Sequence, residues 1–149
     1  MNHLHGTGTA AAFAIAVTFV WLGMVLAISF LEAPLKFRAP GVTLPLGLGI
    51  GRIVFRALNA VEAVLAVALV TAVALASPTV PVIVLTALAV LLLTVQLAAV
   101  RPVLNRRSDR VLAGEQLPRS RAHLYYVACE LAKVVALLAL GVTVLGSGA

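Results

Sequence analysis

The chain has 149 residues, of which 62% are hydrophobic and only 11% charged, with 11 basic against 5 acidic side chains and a formal net charge of +6. Soluble domains carry about 25% charged residues, and a single core of this length could not hide so much apolar surface, so a soluble globular fold is excluded. A mean hydropathy of +1.13 suits a bilayer, and the basic excess, which alone would suggest nucleic acid, falls where a membrane protein needs it.

Gly6 to Leu31 carries no charge, and a membrane helix needs about 20 apolar residues. No Lys or Arg precedes this stretch and no clear small-x-small site follows it, so it reads as a retained span, about 10–31, rather than a cleaved signal. The next segment, "EAPLKFRAPGVTLPLGLGIGR", holds three prolines and four glycines yet stays apolar. Its Leu44, Leu46, Leu48 and Ile50 are expected to lie along the headgroups or fold back against the bundle. Gly47, Gly49 and Gly51 fail the spacing of a phosphate loop, and no strand precedes them.

A second span is expected over about 53–76, where Ala68, Ala72 and Ala76 form a small-residue stripe that allows close helix packing. Ala63 to Val100 is uncharged for 38 residues, too long for one crossing. It breaks at Ser77-Pro78-Thr79-Val80-Pro81, where the prolines remove donors and disfavour helix in the residue before each. A helical hairpin follows, with a third span over about 79–100. The loop "RPVLNRRSDRVLAGEQLPRSRAH" suggests a short helix around Asn105 to Ala113. Pro118 and Ser120 then suit the start of a fourth span, about 123–145, with Ser120 as its cap. The lone Cys129 excludes an intrachain disulfide and is most simply a small packing residue.

Charge sets the threading. Lys36, Arg38, Arg52 and Arg56 lie between spans one and two, and Arg101, Arg106, Arg107, Arg110, Arg119 and Arg121 between three and four. Ten of the 11 basic side chains thus occupy two loops, and the last, Lys133, lies inside span four. The positive-inside rule puts both loops in the cytoplasm and both termini outside. The arginines are expected to meet anionic lipid headgroups. Nucleic acid would call for aromatic interleaving and a fold signature, and neither is present. The expected fold is all-α: an integral membrane four-helix bundle forming one domain, with two basic cytoplasmic loops, in a bacterial plasma membrane.

Polar residues recur inside this apolar frame. In span four His123, Tyr126, Glu130 and Lys133 fall within an arc of roughly 80° at 3.6 residues per turn. In span two Arg52, Arg56, Asn59 and Glu62 occupy roughly 120°. Gln96 in span three, and Glu32 with Ser29 at the end of span one, sit at a similar depth from the basic loops. A charge at membrane depth costs about 2.5–3.5 kcal/mol or more, so it faces the bundle and finds a partner. Glu62 and Glu130 therefore face Lys133, which Glu130 also reaches along its own helix, and Arg56 is the candidate second cation. A register-fixing structural network is the plainer reading; exchangeable charges are the functional one. The choice of Lys at position 133, in a chain that otherwise favours Arg, leans toward the second, because Lys gives up its proton far more readily than Arg.

No catalytic, cofactor or metal site is expected. A di-iron bundle needs Glu-x-x-His on two helices, which the chain lacks. Haem needs an axial ligand, for which His123 alone is placed. His3 and His5 with the free amine could chelate copper or nickel, but more simply form a polar tail.

The segments "FLEAPLKF", "GLGIGRIVFRALNAVE" and "RPVLNRRSDRVLAGEQLPRSRAHLYYVACELAK" are distributed as in small bacterial membrane proteins similar to transmembrane protein 205, and the chain resembles that family over most of its length. Pro34, Phe37, Phe55, Pro102 and His123 carry the resemblance, while Glu130 stands where a smaller polar residue is expected. The resemblance implies a four-helix membrane protein and no particular activity. The residues themselves suggest a non-enzymatic protein that binds or translocates a small polar solute or ion. The alternative is an accessory subunit whose charges pair with a partner membrane protein or a second copy of the chain.

Overall fold

The computed structural model describes residues 2–115 and 121–147, without the side chains of residues 2–7, 122, 123 and 147. Its elements are helices. α1 (Asn2–Val25) runs through a π-helical stretch (Leu26–Glu32) into α2 (Ala33–Leu35) and a 3-10 turn (Lys36–Arg38). α3 spans Leu44–Leu75. α4 (Val80–Val95) continues through a second π stretch (Gln96–Val100) into α5 (Arg101–Leu112), and α6 covers Ala122–Ser147. They form four rods, each long and apolar enough to cross a membrane, and the fold is an all-α four-helix bundle of multi-pass type.

The expected hairpin is present. α3 stops at Leu75, Ser77 takes a left-handed φ of 52°, and α4 starts at Val80 with a proline in its first turn, where the missing N–H costs nothing. Ala72 of the small-residue stripe is buried, and Ala68 and Ala76 are half-buried.

Leu44, Leu46, Leu48 and Ile50 form the first turns of α3, and Leu48 lines a cavity with residues of the other rods, in keeping with the expected fold-back against the bundle. The Thr43 hydroxyl accepts from the Leu46 N–H at 3.4 Å and Pro45 supplies the first turn, a sound helix start despite the glycines. The helix expected around Asn105 to Ala113 begins earlier, at Arg101, and is the unbroken continuation of the third rod. The proposed start of span four at Pro118 and Ser120 lies outside the described residues.

Both π stretches run up to a proline, Pro34 or Pro102. A proline inside a helix lacks a donor and clashes with the carbonyl four residues back, here those of Phe30 and Ala98. In a π turn the bonds shift to the fifth residue back: the N–H of Ala33 bonds Ile28, and that of Arg101 bonds Gln96. The widened turn absorbs each proline, and the rod carries on past it.

Buried positions follow steps of three and four. Ala14, Thr18, Trp21 and Val25 line α1, Val82, Thr86, Ala89 and Leu93 line α4, and Glu130, Lys133, Leu137, Leu140 and Val144 line α6. Such spacing makes the seam of a left-handed bundle. α1 packs against α3 and α6, and α4 against α6, while the contact between α3 and α4 is the loosest of the four. The outside is apolar, with Val64, Val67, Leu91, Val135 and Val142 all exposed, as lipid requires.

Candidate functional site

Five side chains from all four rods meet on the seam. The Trp21 indole N–H donates to Glu62 Oε1 at 2.9 Å. Lys133 Nζ lies 2.5 Å from the same Glu62 oxygen and 3.3 Å from Glu130 Oε1. It also donates to Gln96 Oε1 at 2.8 Å, so its three hydrogens have three acceptors. Gln96 Nε2 in turn donates to Glu130 Oε1 at 2.9 Å. The amide thus relays between ammonium and carboxylate. Trp21, Glu62 and Lys133 are wholly buried, Glu130 is 1% exposed and Gln96 2%. In so dry a site only paired charges are tolerable.

The pairing is incomplete. Two carboxylates share one ammonium, so with both ionised the cluster carries one surplus negative charge. Among the described residues Oε2 of Glu62 and Oε2 of Glu130 have no hydrogen-bond partner. The cluster can therefore accept one proton or one small cation and become neutral. On its terminal side Leu69, Leu137 and Leu140 follow along α3 and α6, all wholly buried. Toward the basic end it borders a cavity.

There, Glu130 helps line a cavity of about 450 Å³ whose wall also includes Ser29, Lys36, Phe37, Arg52, Phe55, Arg101 and Tyr126. The Arg101 guanidinium stacks 4.4 Å from the Phe55 ring centre and 4.9 Å from that of Tyr126. It also donates to the Tyr126 hydroxyl at 3.4 Å. The two rings meet edge to face at 5.6 Å, an attractive arrangement for aromatic quadrupoles. Lys36 pairs with Glu32 at 3.2 Å and lies 5.4 Å from the Phe55 ring centre. Gly47 and Gly51, one turn apart, make this wall possible. A Cβ on Gly47 would overlap the Phe37 ring, and one on Gly51 would come 2.9 Å from Lys36 Nζ.

The ten residues expected to form one polar pocket separate into distinct groups. Glu62, Gln96, Glu130 and Lys133 form the buried cluster. Tyr126 and Arg52 line the cavity, and Glu32 holds Lys36 beside it. Arg56 is not the second cation: it is exposed and lines, with Arg52 and Asn59, a groove on the other side of Arg101. The helix carries Arg56 and Glu62 six residues apart, about 120° around the axis, so they face different neighbours. The His123 side chain lies outside the described residues, as do those of His3 and His5.

Charge-based reading missed Trp21, Lys36 and Arg101. Trp21 had a signal: it is the only tryptophan, and a buried indole seeks an acceptor. Pro34, Phe37 and Phe55, three of the positions behind the family resemblance, line the same cavity. Among the described residues no three of His, Cys, Asp and Glu gather as a metal site would require. Compared with protein families, with curated proteins and with solved structures, the chain finds no match in any of the three.

Proposed function

We propose that this protein binds a small polar solute or ion in the cavity at its basic end and carries it across the membrane, with Glu62, Glu130 and Lys133 as the exchangeable charges. One observation carries the reading. A buried cluster with more carboxylate than ammonium borders a cavity through Glu130, one of whose carboxylate oxygens makes no hydrogen bond among the described residues. A register-fixing network needs matched charges; a surplus carboxylate beside a cavity suits uptake of a proton or cation. Buried ionisable groups of membrane helices commonly mark such pathways. A buried apolar terminal side together with a cavity at the basic side suits a transporter that opens to one end at a time.

The test is flux into liposomes containing the purified protein, read with an internal pH dye and with candidate solutes outside. Wild-type protein is expected to move protons or cations. Glu130→Gln, which keeps the shape but removes the surplus carboxylate, is expected to bring flux down to that of empty liposomes. Undiminished flux through Glu130→Gln would refute the role given to it.

We further propose a plasma-membrane location with the basic end in the cytoplasm, supported by the concentration of Lys and Arg in two loops. In a Cys129→Ala background, Ser147→Cys should then label with an impermeant reagent from outside intact cells and Ser108→Cys should not. Reversed labelling would turn the cavity to the outside.

A further inference from the structure

Across Arg52 and Arg101 from the cavity lies a second, smaller hollow of about 270 Å³, in the groove between α3 and α5. We propose that this groove binds a phosphate group, carried by an anionic phospholipid or by a soluble phosphate. α3 presents Arg52, Arg56 and Asn59 at steps of four and three, and the facing rod presents Arg101 and Asn105 four apart, so each set shares one helix face.

The charge is unbalanced in the opposite sense to that of the buried cluster. Arg52 pairs with Asp109 at 2.5 Å. Arg101 meets two rings and a hydroxyl but no carboxylate. Arg56 has no ion pair, and the side chains of Asn59 and Asn105 no hydrogen bond, among the described residues. Three guanidinia thus share one acid, and two carboxamides have free donors. Nε of Arg52 and of Arg101 are buried without a partner.

One guanidinium fork satisfies a planar carboxylate. A tetrahedral phosphate offers oxygens in several directions and suits several converging forks. The site also lies where the rods leave their apolar stretches, and basic pockets between membrane helices are where phospholipid headgroups bind. Glu62, Gln96, Glu130 and Lys133 line no part of the groove, so this inference stands apart from the charge-exchange reading.

Diffuse attraction of basic loops to anionic lipid would treat all exposed arginines alike; a built groove singles out Arg56. The full chain, stripped of lipid in neutral detergent, is titrated with phosphatidylglycerol, phosphatidylcholine or inorganic phosphate. Bound lipid is read by native mass spectrometry and the gain in Tm by thermal unfolding. Phosphatidylglycerol retention is expected to fall about tenfold in Arg56→Gln, as loss of a charge-assisted bond implies, and at most about twofold in Arg106→Gln, outside the groove. Asn59→Ala, a neutral change in the groove, should weaken retention without altering net charge and serves if Arg56→Gln fails to fold. Stabilisation of the wild type but not of Arg56→Gln by inorganic phosphate identifies a soluble ligand; stabilisation by phosphatidylglycerol alone identifies the lipid. Equal losses in Arg56→Gln and Arg106→Gln, or a wild type that retains phosphatidylcholine as well as phosphatidylglycerol and gains nothing from phosphate, would overturn the proposal.

Discussion

Lys133 and Arg101 are cations of one bundle in opposite company. Lys133 is wholly buried and spends its three hydrogens on Glu62, Gln96 and Glu130. Arg101 is half-buried, lies between the rings of Phe55 and Tyr126, and meets no carboxylate. The difference follows from depth. An ammonium deep in the apolar seam is tolerable only with counter-charges at contact distance, so its surroundings are closed around it. A guanidinium at the basic end keeps access to water, so weak ring contacts are enough to orient it and its charge stays available. With both glutamates ionised the surplus charge around Lys133 is negative; around Arg101 it is positive. Two neighbouring regions of one fold are thereby suited to ligands of opposite sign.

That contrast can be broken by substitution. Lys133→Met leaves two buried carboxylates without a counter-ion, and thermal unfolding in detergent should show a loss of about 3–5 kcal/mol. A loss below about 1 kcal/mol would mean that water reaches the cluster and that it is not the closed region described. Trp21→Phe keeps most of the volume but removes the indole N–H from Glu62 Oε1; the expected cost is about 1.5–3 kcal/mol, the range for hydrogen bonds to charged groups. Gly47→Ala pushes a methyl group into the Phe37 ring and should cost about 1–3 kcal/mol, as overpacking does. Because Phe37 is a cavity wall, the same variant should weaken solute binding while leaving the cluster intact. Arg101→Gln should have the smallest effect on stability, about 1 kcal/mol or less, since it loses only ring contacts and a long hydrogen bond. A larger loss there would place Arg101 among the structural charges beside Lys133.

Much of this was legible in the residues, and the exceptions have physical causes. Lipid cannot satisfy a free backbone group, so uncharged runs of known length had to be helices, and Ser77-Pro78 had to turn between them. The same constraint explains why the rods run on past Pro34 and Pro102. Prolines that would end a helix in water are bridged by π turns here, because breaking the rod would leave backbone groups without partners. Glu62, Gln96, Glu130 and Lys133 were findable because a charge or amide in an apolar seam has few alternatives to pairing. Trp21 was missed because it carries no charge, although steps of three and four from Ala14 and Thr18 put it on the same seam. The split of Arg56 from Glu62 was latent in an arc too wide for a single seam to receive. Arg101 and Lys36 look like ordinary loop charges in sequence; only the fold, with glycines at 47 and 51 admitting Phe37 and Lys36, brings them to one cavity.

The central claim is that the surplus carboxylate of the buried cluster is there to be exchanged and not to hold the helices in register. Glu130→Gln separates the two roles, because it leaves Glu62 and Lys133 as a matched pair and keeps a group that can hydrogen-bond Gln96. Thermal unfolding and liposome flux measured on the same preparation are the direct test. The account predicts a Tm equal to or above that of the wild type together with flux no greater than that of empty liposomes. A variant that unfolds readily yet transports as the wild type does would contradict it.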